Sequence, residues 1–157
     1  MPGLLGVSAL AAVRCRGLLI PCKALPSVLA RSVRPLVFEN DYAECQYSMR
    51  GSCTLVRSEH AHLAVFTEHQ RQGQSAAQIR IVSGFEGGNC LAAEILLAVD
   101  PSQGEEYEDL RGLKISTTRH TPEELTDFFP LPSDLPPVNE SRILIATGLP
   151  THHSGVD

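Results

Sequence analysis

Cys53-Thr54-Leu55-Val56-Arg57 and His62-Leu63-Ala64-Val65-Phe66-Thr67, separated by the polar Ser58-Glu59-His60, are the stretch on which the fold turns. Runs rich in β-branched and apolar residues on either side of a short polar break read as neighbouring strands of a hairpin or meander. Downstream, Gln78-Ile79-Arg80-Ile81-Val82 alternates apolar and polar side chains, the pattern of a strand with one buried and one wet face. Leu113-Lys114-Ile115-Ser116-Thr117 alternates in the same way. Residues 35–38 start with Pro35, which suits an edge strand, and Arg142 with Ile143, Leu144, Ile145, Ala146 and Thr147 offers one last short strand.

Two segments read as helices. Leu91, Ala92, Ile95, Leu96 and Val99 fall at helical spacing, with Asn89 as a candidate N-cap and Pro101 as the stop, so a helix is expected over 89–99; a buried strand is the alternative. Thr121-Pro122-Glu123-Glu124 carries the residues of a capping box: Thr121 at the cap, Pro122 where a missing N–H costs nothing, and Glu124 at the third helical position. A helix over 122–129 follows. The expected fold class is therefore α+β: a small, mostly antiparallel sheet with two short helices on one face, preceded by a poorly ordered leader.

The leader rests on charge. Arg14, Arg16, Lys23, Arg31 and Arg34 fall in the first 35 of 157 residues, whereas all 18 acidic residues begin at Glu39; residues 36–157 carry 8 basic against 18 acidic residues, a net of −10. An acid-free, Arg-bearing segment with Ser8, Ser27 and Ser32 among Leu, Ala and Val has the composition of an organelle-import presequence, and Arg31-Ser32-Val33 has the generic form of a matrix-protease site. Such a segment is drawn to an anionic membrane surface, so peripheral membrane contact is expected of it. Residues 1–35 are accordingly assigned to a cleavable leader, 36–147 to one α+β domain with a proline-rich spacer at 130–137, and 148–157 to a flexible tail. Secretion is the rival, since Ala9-Leu10-Ala11 mimics a signal-peptidase site, and an ordinary amphipathic helix is the plain alternative. Arg14 and Arg16 end the apolar run far short of a membrane span.

The same charge disfavours nucleic acid, because an acidic body repels phosphate. Hydrophobic content of 43% and charged content of 20% are those of a globular domain, but aromatic content of 5% makes the core light and also fits a chain of marginal structure.

No catalytic motif is complete. Cys90, at the start of the 89–99 helix, would have its thiol activated by the helix dipole, with His60 or His62 as base; a small buried thiol is the plainer reading. His60 and His62 would face one way on a strand, but without a CxxC or HExxH pattern no metal site is assigned, and no cofactor is called for. Gly84-Phe85-Glu86-Gly87-Gly88 matches no phosphate-binding fingerprint, and Glu86 puts negative charge where phosphate would sit. Cys45, Cys53 and Cys90 form no disulfide framework, although a Cys45–Cys53 bridge and a glycosylated Asn139 would mark a secreted chain. Glu105, Glu106, Tyr107, Glu108 and Asp109 form an acidic loop suited to docking a basic protein partner, or simply a solvated turn.

The function expected is that of a non-enzymatic accessory, assembly or protein-interaction domain, in the mitochondrial matrix or on the matrix face of the inner membrane. A small thiol- or metal-dependent hydrolase using Cys90 with His60 or His62 is the alternative from another class, and a secreted disulfide-bearing domain is a third.

Overall fold

The computed structural model describes residues 12–15, 18–21, 27–42, 44–84, 89–100, 102 and 108–133. Strands β1 (Ala12–Cys15) and β2 (Leu18–Pro21) pair as an antiparallel hairpin. Helix α1 (Ser27–Arg31) leads into β3 (Val33–Glu39), β4 (Tyr47–Arg57) and β5 (His62–Thr67). Helix α2 (Glu68–Arg71), β6 (Ile79–Arg80), β7 (Ala93–Ala98), β8 (Leu110–Ile115) and β9 (Phe129–Pro130) complete the order.

The main sheet runs β6-β3-β4-β5-β8-β7 and curls into an antiparallel half-barrel, with β9 added in parallel to the end of β4. Its centre is the hairpin read from the sequence, Arg57 facing His62 and Thr54 facing Val65. Alternation then builds the core: Leu36 and Phe38, Cys53 and Leu55, Ala64 and Phe66, and Leu113 and Ile115 all point inward and are buried. Ile79, Ile81, Leu91 and Phe128 close the same cluster. Each fully buried Leu, Ile or Phe removes enough apolar surface from water for roughly 1.5–3 kcal/mol.

β3 is not an edge strand: it pairs β4 on one side and β6 on the other. The reason it tolerates Pro35 is local, because β6 reaches only Val37 and Phe38 and, among the described residues, no strand pairs with Pro35 on that side. The β3–β4 register slips between Pro35 and Val37, where Gly51 takes φ +139°, a backbone conformation that favours glycine.

Neither expected helix forms. Residues 93–98 are strand β7, paired to β8 from Ala93 opposite Ile115 to Ala98 opposite Arg111. A run this apolar fits either period, and the unpaired edge of β8 decides for strand. At 121–125 the capping box forms as expected, Thr121 N–H donating to Glu124 and Glu124 N–H donating to the Thr121 hydroxyl, but the turn stops as a short 3₁₀ helix at Glu123–Leu125. Leu125 packs on the core, Phe128 enters it and Asp127 reaches β3, and Phe129 is already paired with Val56 as strand, which a helix over 122–129 would not allow. The two short helices of the fold are instead α1 and α2. Thr67 N–H donates to the Gln70 side chain at the start of α2, and Gln72 ends the helix in the left-handed region at φ 51°.

The last part of the segment assigned to the leader lies in the sheet. Ser32, Val33 and Arg34 are buried, Leu55 N–H donates to the Ser32 carbonyl, and β3 begins at Val33. Arg34 can be buried because Asp127 supplies its counter-charge, a partner that charge counted along the chain does not reveal.

Candidate functional site

The half-barrel leaves two sheet edges, β6 and β7, and between them lies a cavity of about 580 Å³. Its walls include Ala76 and Ile79 from the β6 side, and Leu91, Leu96 and Cys90 from the β7 side. The charges at its rim are paired. Arg80 bonds Glu39, and Glu94 lies 3.2 Å from Lys114 while the Ser116 hydroxyl and Lys114 hold its carboxyl below the usual carboxylate range.

β7 itself is unusual for an edge. Ala93-Glu94-Ile95-Leu96-Leu97-Ala98 carries one charge in six residues, yet Ile95 is 54% exposed and Leu97 39% exposed. Sheet edges are ordinarily protected by charge, proline or cover. Leu110, at the start of β8, adds to the exposed apolar residues.

The start of β7 is fixed from behind. His120, only 5% exposed in its side chain, accepts the Ala92 N–H at Nε2 over 2.7 Å and faces the Glu124 carboxylate through Nδ1 at 3.2 Å. This bonding sets the tautomer: Nε2 is the acceptor, so Nδ1 carries the proton toward Glu124. The Thr121 N–H and then the His120 ring hold the Glu124 carboxyl below its ordinary range. Sequence reading passed over His120; its spacing of four from Glu124 was the available signal.

Cys90 does not begin a helix. It forms an isolated bridge with Val82 and is exposed at the mouth of the 580 Å³ cavity, without the helix dipole expected to activate it. His60 and His62 line a different cavity, of about 280 Å³, with Glu59, Glu94, Lys114 and Thr117. The His62 ring sits edge-on to Phe128, centroids 4.8 Å apart, and burial followed by the Arg57 charge lowers its pKa. The two histidines thus share a cavity with each other and not with Cys90. Among the described residues no group of three or more His, Cys, Asp or Glu is arranged to hold a metal ion.

Cys53 is buried beside Arg34 in the β3–β4 pairing, and burial pushes its thiol up to about 12. Cys45 is exposed ahead of β4 and Cys53 lies deep within that strand, six residues beyond its first residue, roughly 20 Å along an extended chain. Both thiols are free, and a bridge needs Cα atoms within about 7 Å.

Of the acidic loop, Glu105, Glu106 and Tyr107 lie outside the described residues, as do Phe85 to Gly88 of the glycine loop, Asn139 and the 142–147 strand. Glu108 is exposed. Asp109 accepts the His69 backbone N–H at 2.9 Å and faces the His69 ring at 2.5 Å, and these bonds depress its pKa. Its carboxylate is thereby engaged at the first turn of α2. Pro130 and Leu131, the start of the proline-rich spacer, are tied to the sheet, Leu131 N–H donating to the Arg57 carbonyl. No described helix is long and apolar enough to cross a membrane.

Compared with known protein families, curated proteins and solved structures, the chain matches none of them.

Proposed function

We propose that the chain is a non-enzymatic accessory or assembly domain of the mitochondrial matrix, or of the matrix face of the inner membrane, and that it holds another protein through the β7 edge. The observation that carries the reading is the exposure of Ile95 and Leu97 on an end strand of the sheet, next to a cavity whose walls include Ile79, Leu91 and Leu96. Main-chain groups along such an edge bind an extended segment, and the neighbouring side-chain pockets select it. The acidic loop at 105–109 adds a second contact through Glu105, Glu106, Tyr107 and Glu108, favouring a partner with basic residues. The import leader is supported by the collection of positive charge ahead of Pro35 and of all negative charge after it. Because Ser32, Val33 and Arg34 are buried in the fold, a leader compatible with it ends ahead of Ser32.

Affinity purification from cells tests the docking edge. A defined set of proteins recovered with the wild type is expected to be lost with Ile95→Lys/Leu97→Lys, while thermal unfolding of the variant stays within a few degrees. Recovery of the same set by both proteins overturns the reading. N-terminal sequencing of the cellular protein tests the leader: a start at Met1 removes the mitochondrial assignment.

A further inference from the structure

We infer that His120 is an acid-sensitive latch for the β7 edge: the neutral ring fixes the residue that leads into the strand, and a proton taken up at Nε2 frees it. The inference takes its functional meaning from the docking reading, while its geometry stands apart from that reading. Three observations carry it.

The first is the acceptor itself. His120 Nε2 accepts the Ala92 N–H over 2.7 Å, and Nδ1 faces the Glu124 carboxylate at 3.2 Å. A neutral imidazole has one acceptor nitrogen, and a charged one has none. Protonation at Nε2 therefore sets two N–H donors against each other beneath a side chain only 5% exposed, and the Ala92 N–H loses its partner.

The second is where the bond falls. The β7–β8 register slips between Ala93 and Ile95, just after Ala92, so the ladder is irregular where the strand begins. The Leu91 N–H donates to the Ile81 carbonyl and the Ser116 N–H to the Ala92 carbonyl, and a charged ring leaves both bonds in place. Release is therefore confined to the first residues of β7, while Leu96 to Ala98 stay paired with Leu113 to Arg111.

The third is the charge around the ring. Glu124, on the same turn, gives the incoming proton a counter-charge. Arg57 and His62, from β4 and β5, line a cavity of about 320 Å³ together with His120, and positive charge on either opposes that proton. The Glu124 carboxylate is itself bonded by the Thr121 N–H and the Asn89 side chain, so one turn grips both Asn89 and Ala92. The ring thus has a charged and a neutral arrangement, and only the neutral one keeps β7 latched.

Hydrogen exchange on the full chain, with each rate divided by the intrinsic rate at the same pH, provides the test. Between about pH 7.5 and about pH 5.5, within the range where histidines gain their proton, protection at 92–95 is expected to fall about tenfold in the wild type while β4 and β5 keep theirs. His120→Gln offers the Ala92 N–H a carbonyl oxygen that takes up no proton, so its protection there is expected to be the same at both pH values. A flat wild-type profile overturns the inference, and so does an equal fall in His120→Gln, which would assign the effect to another group. Should that variant fail to fold, nitrogen NMR of the wild-type ring decides: Nε2 is expected to be the bare nitrogen at about pH 7.5, with the Ala92 amide shift following the ring's titration, and a proton found on Nε2 at that pH overturns the latch. Partner recovery is read separately. A partner lost at about pH 5.5 from the wild type and kept by His120→Gln supports both proposals, whereas the exchange pattern with no partner recovered at either pH supports the latch and overturns the docking reading.

Discussion

The Arg34 guanidinium has no exposed surface and lies 2.5 Å from the Asp127 carboxylate, joining β3 to a turn 93 residues later. Arg31, at the end of α1, pairs with the other oxygen of the same carboxylate at 3.1 Å. One acid therefore holds two bases of the N-terminal segment against the C-terminal turn.

Removing that acid takes one ion pair from the enclosed Arg34 and one from Arg31, so Asp127→Ala is expected to lower stability by about 3 kcal/mol. Urea unfolding of purified protein measures it. An unmoved midpoint would show that Arg34 owes little to this pair.

His120→Phe fills a similar space but cannot accept the Ala92 N–H, and an unsatisfied buried donor costs about 1–3 kcal/mol. The loss is expected to be local to the start of β7, since Leu91 is separately bonded to Ile81. Faster amide exchange at residues 92–95, with β4 and β5 unaffected, is the signature; uniform acceleration across the sheet would contradict it.

Among the described cysteines, Cys45 and Cys90 are exposed, while burial holds the Cys53 thiol protonated up to about 12. The thiolate is the reactive form. Alkylation at neutral pH followed by mass analysis of peptides is expected to label Cys45 and Cys90 within minutes and Cys53 only after urea is added. Early labelling of Cys53 would mean that β4 opens readily.

Acid is expected to destabilise the fold in a defined direction. Arg71 first, and then Arg111, hold Glu68 below the usual carboxylate range; Asp109 and Glu124 are depressed by their bonds to His69 and Thr121. Each binds fewer protons folded than unfolded, so its contribution is present above an ordinary carboxylate pKa of about 4 and lost as pH falls through the lower folded value. His62, also depressed, has the same sign, but its contribution begins to fall below about pH 6.5. The melting temperature should decline gently from neutral pH and steeply in the carboxylate range. A flat profile down to pH 3 would refute the assignment.

The hairpin of β4 and β5, the β6 alternation at Ile79 and Ile81 and the strand at Leu113 to Ile115 were legible because their periodicity is set by a single buried face. Segment 93–98 was not, because an apolar run satisfies both periods and only the vacant side of β8 chooses. The 121–125 turn shows the limit of local signals: its capping bonds form as read, yet the pairing of Phe129 with Val56 commits the chain to strand a few residues later. The helix dipole expected at Cys90 is missing for the same reason, since the residue lies in a bridge with Val82 and not at a helix start. His120 gave little warning, because its role comes from a backbone N–H 28 residues away.

Phe128 has a further consequence for the order of events in the cell. It belongs to the same buried cluster as Leu36, Leu55 and Ile115, and comes from the far end of the described chain. A polypeptide delivered head first, from a ribosome or through a translocation channel, has most of its sheet available before this ring arrives. Closure must therefore wait until residue 128 has emerged, and a nascent chain halted before it would stay open to chaperones and proteases.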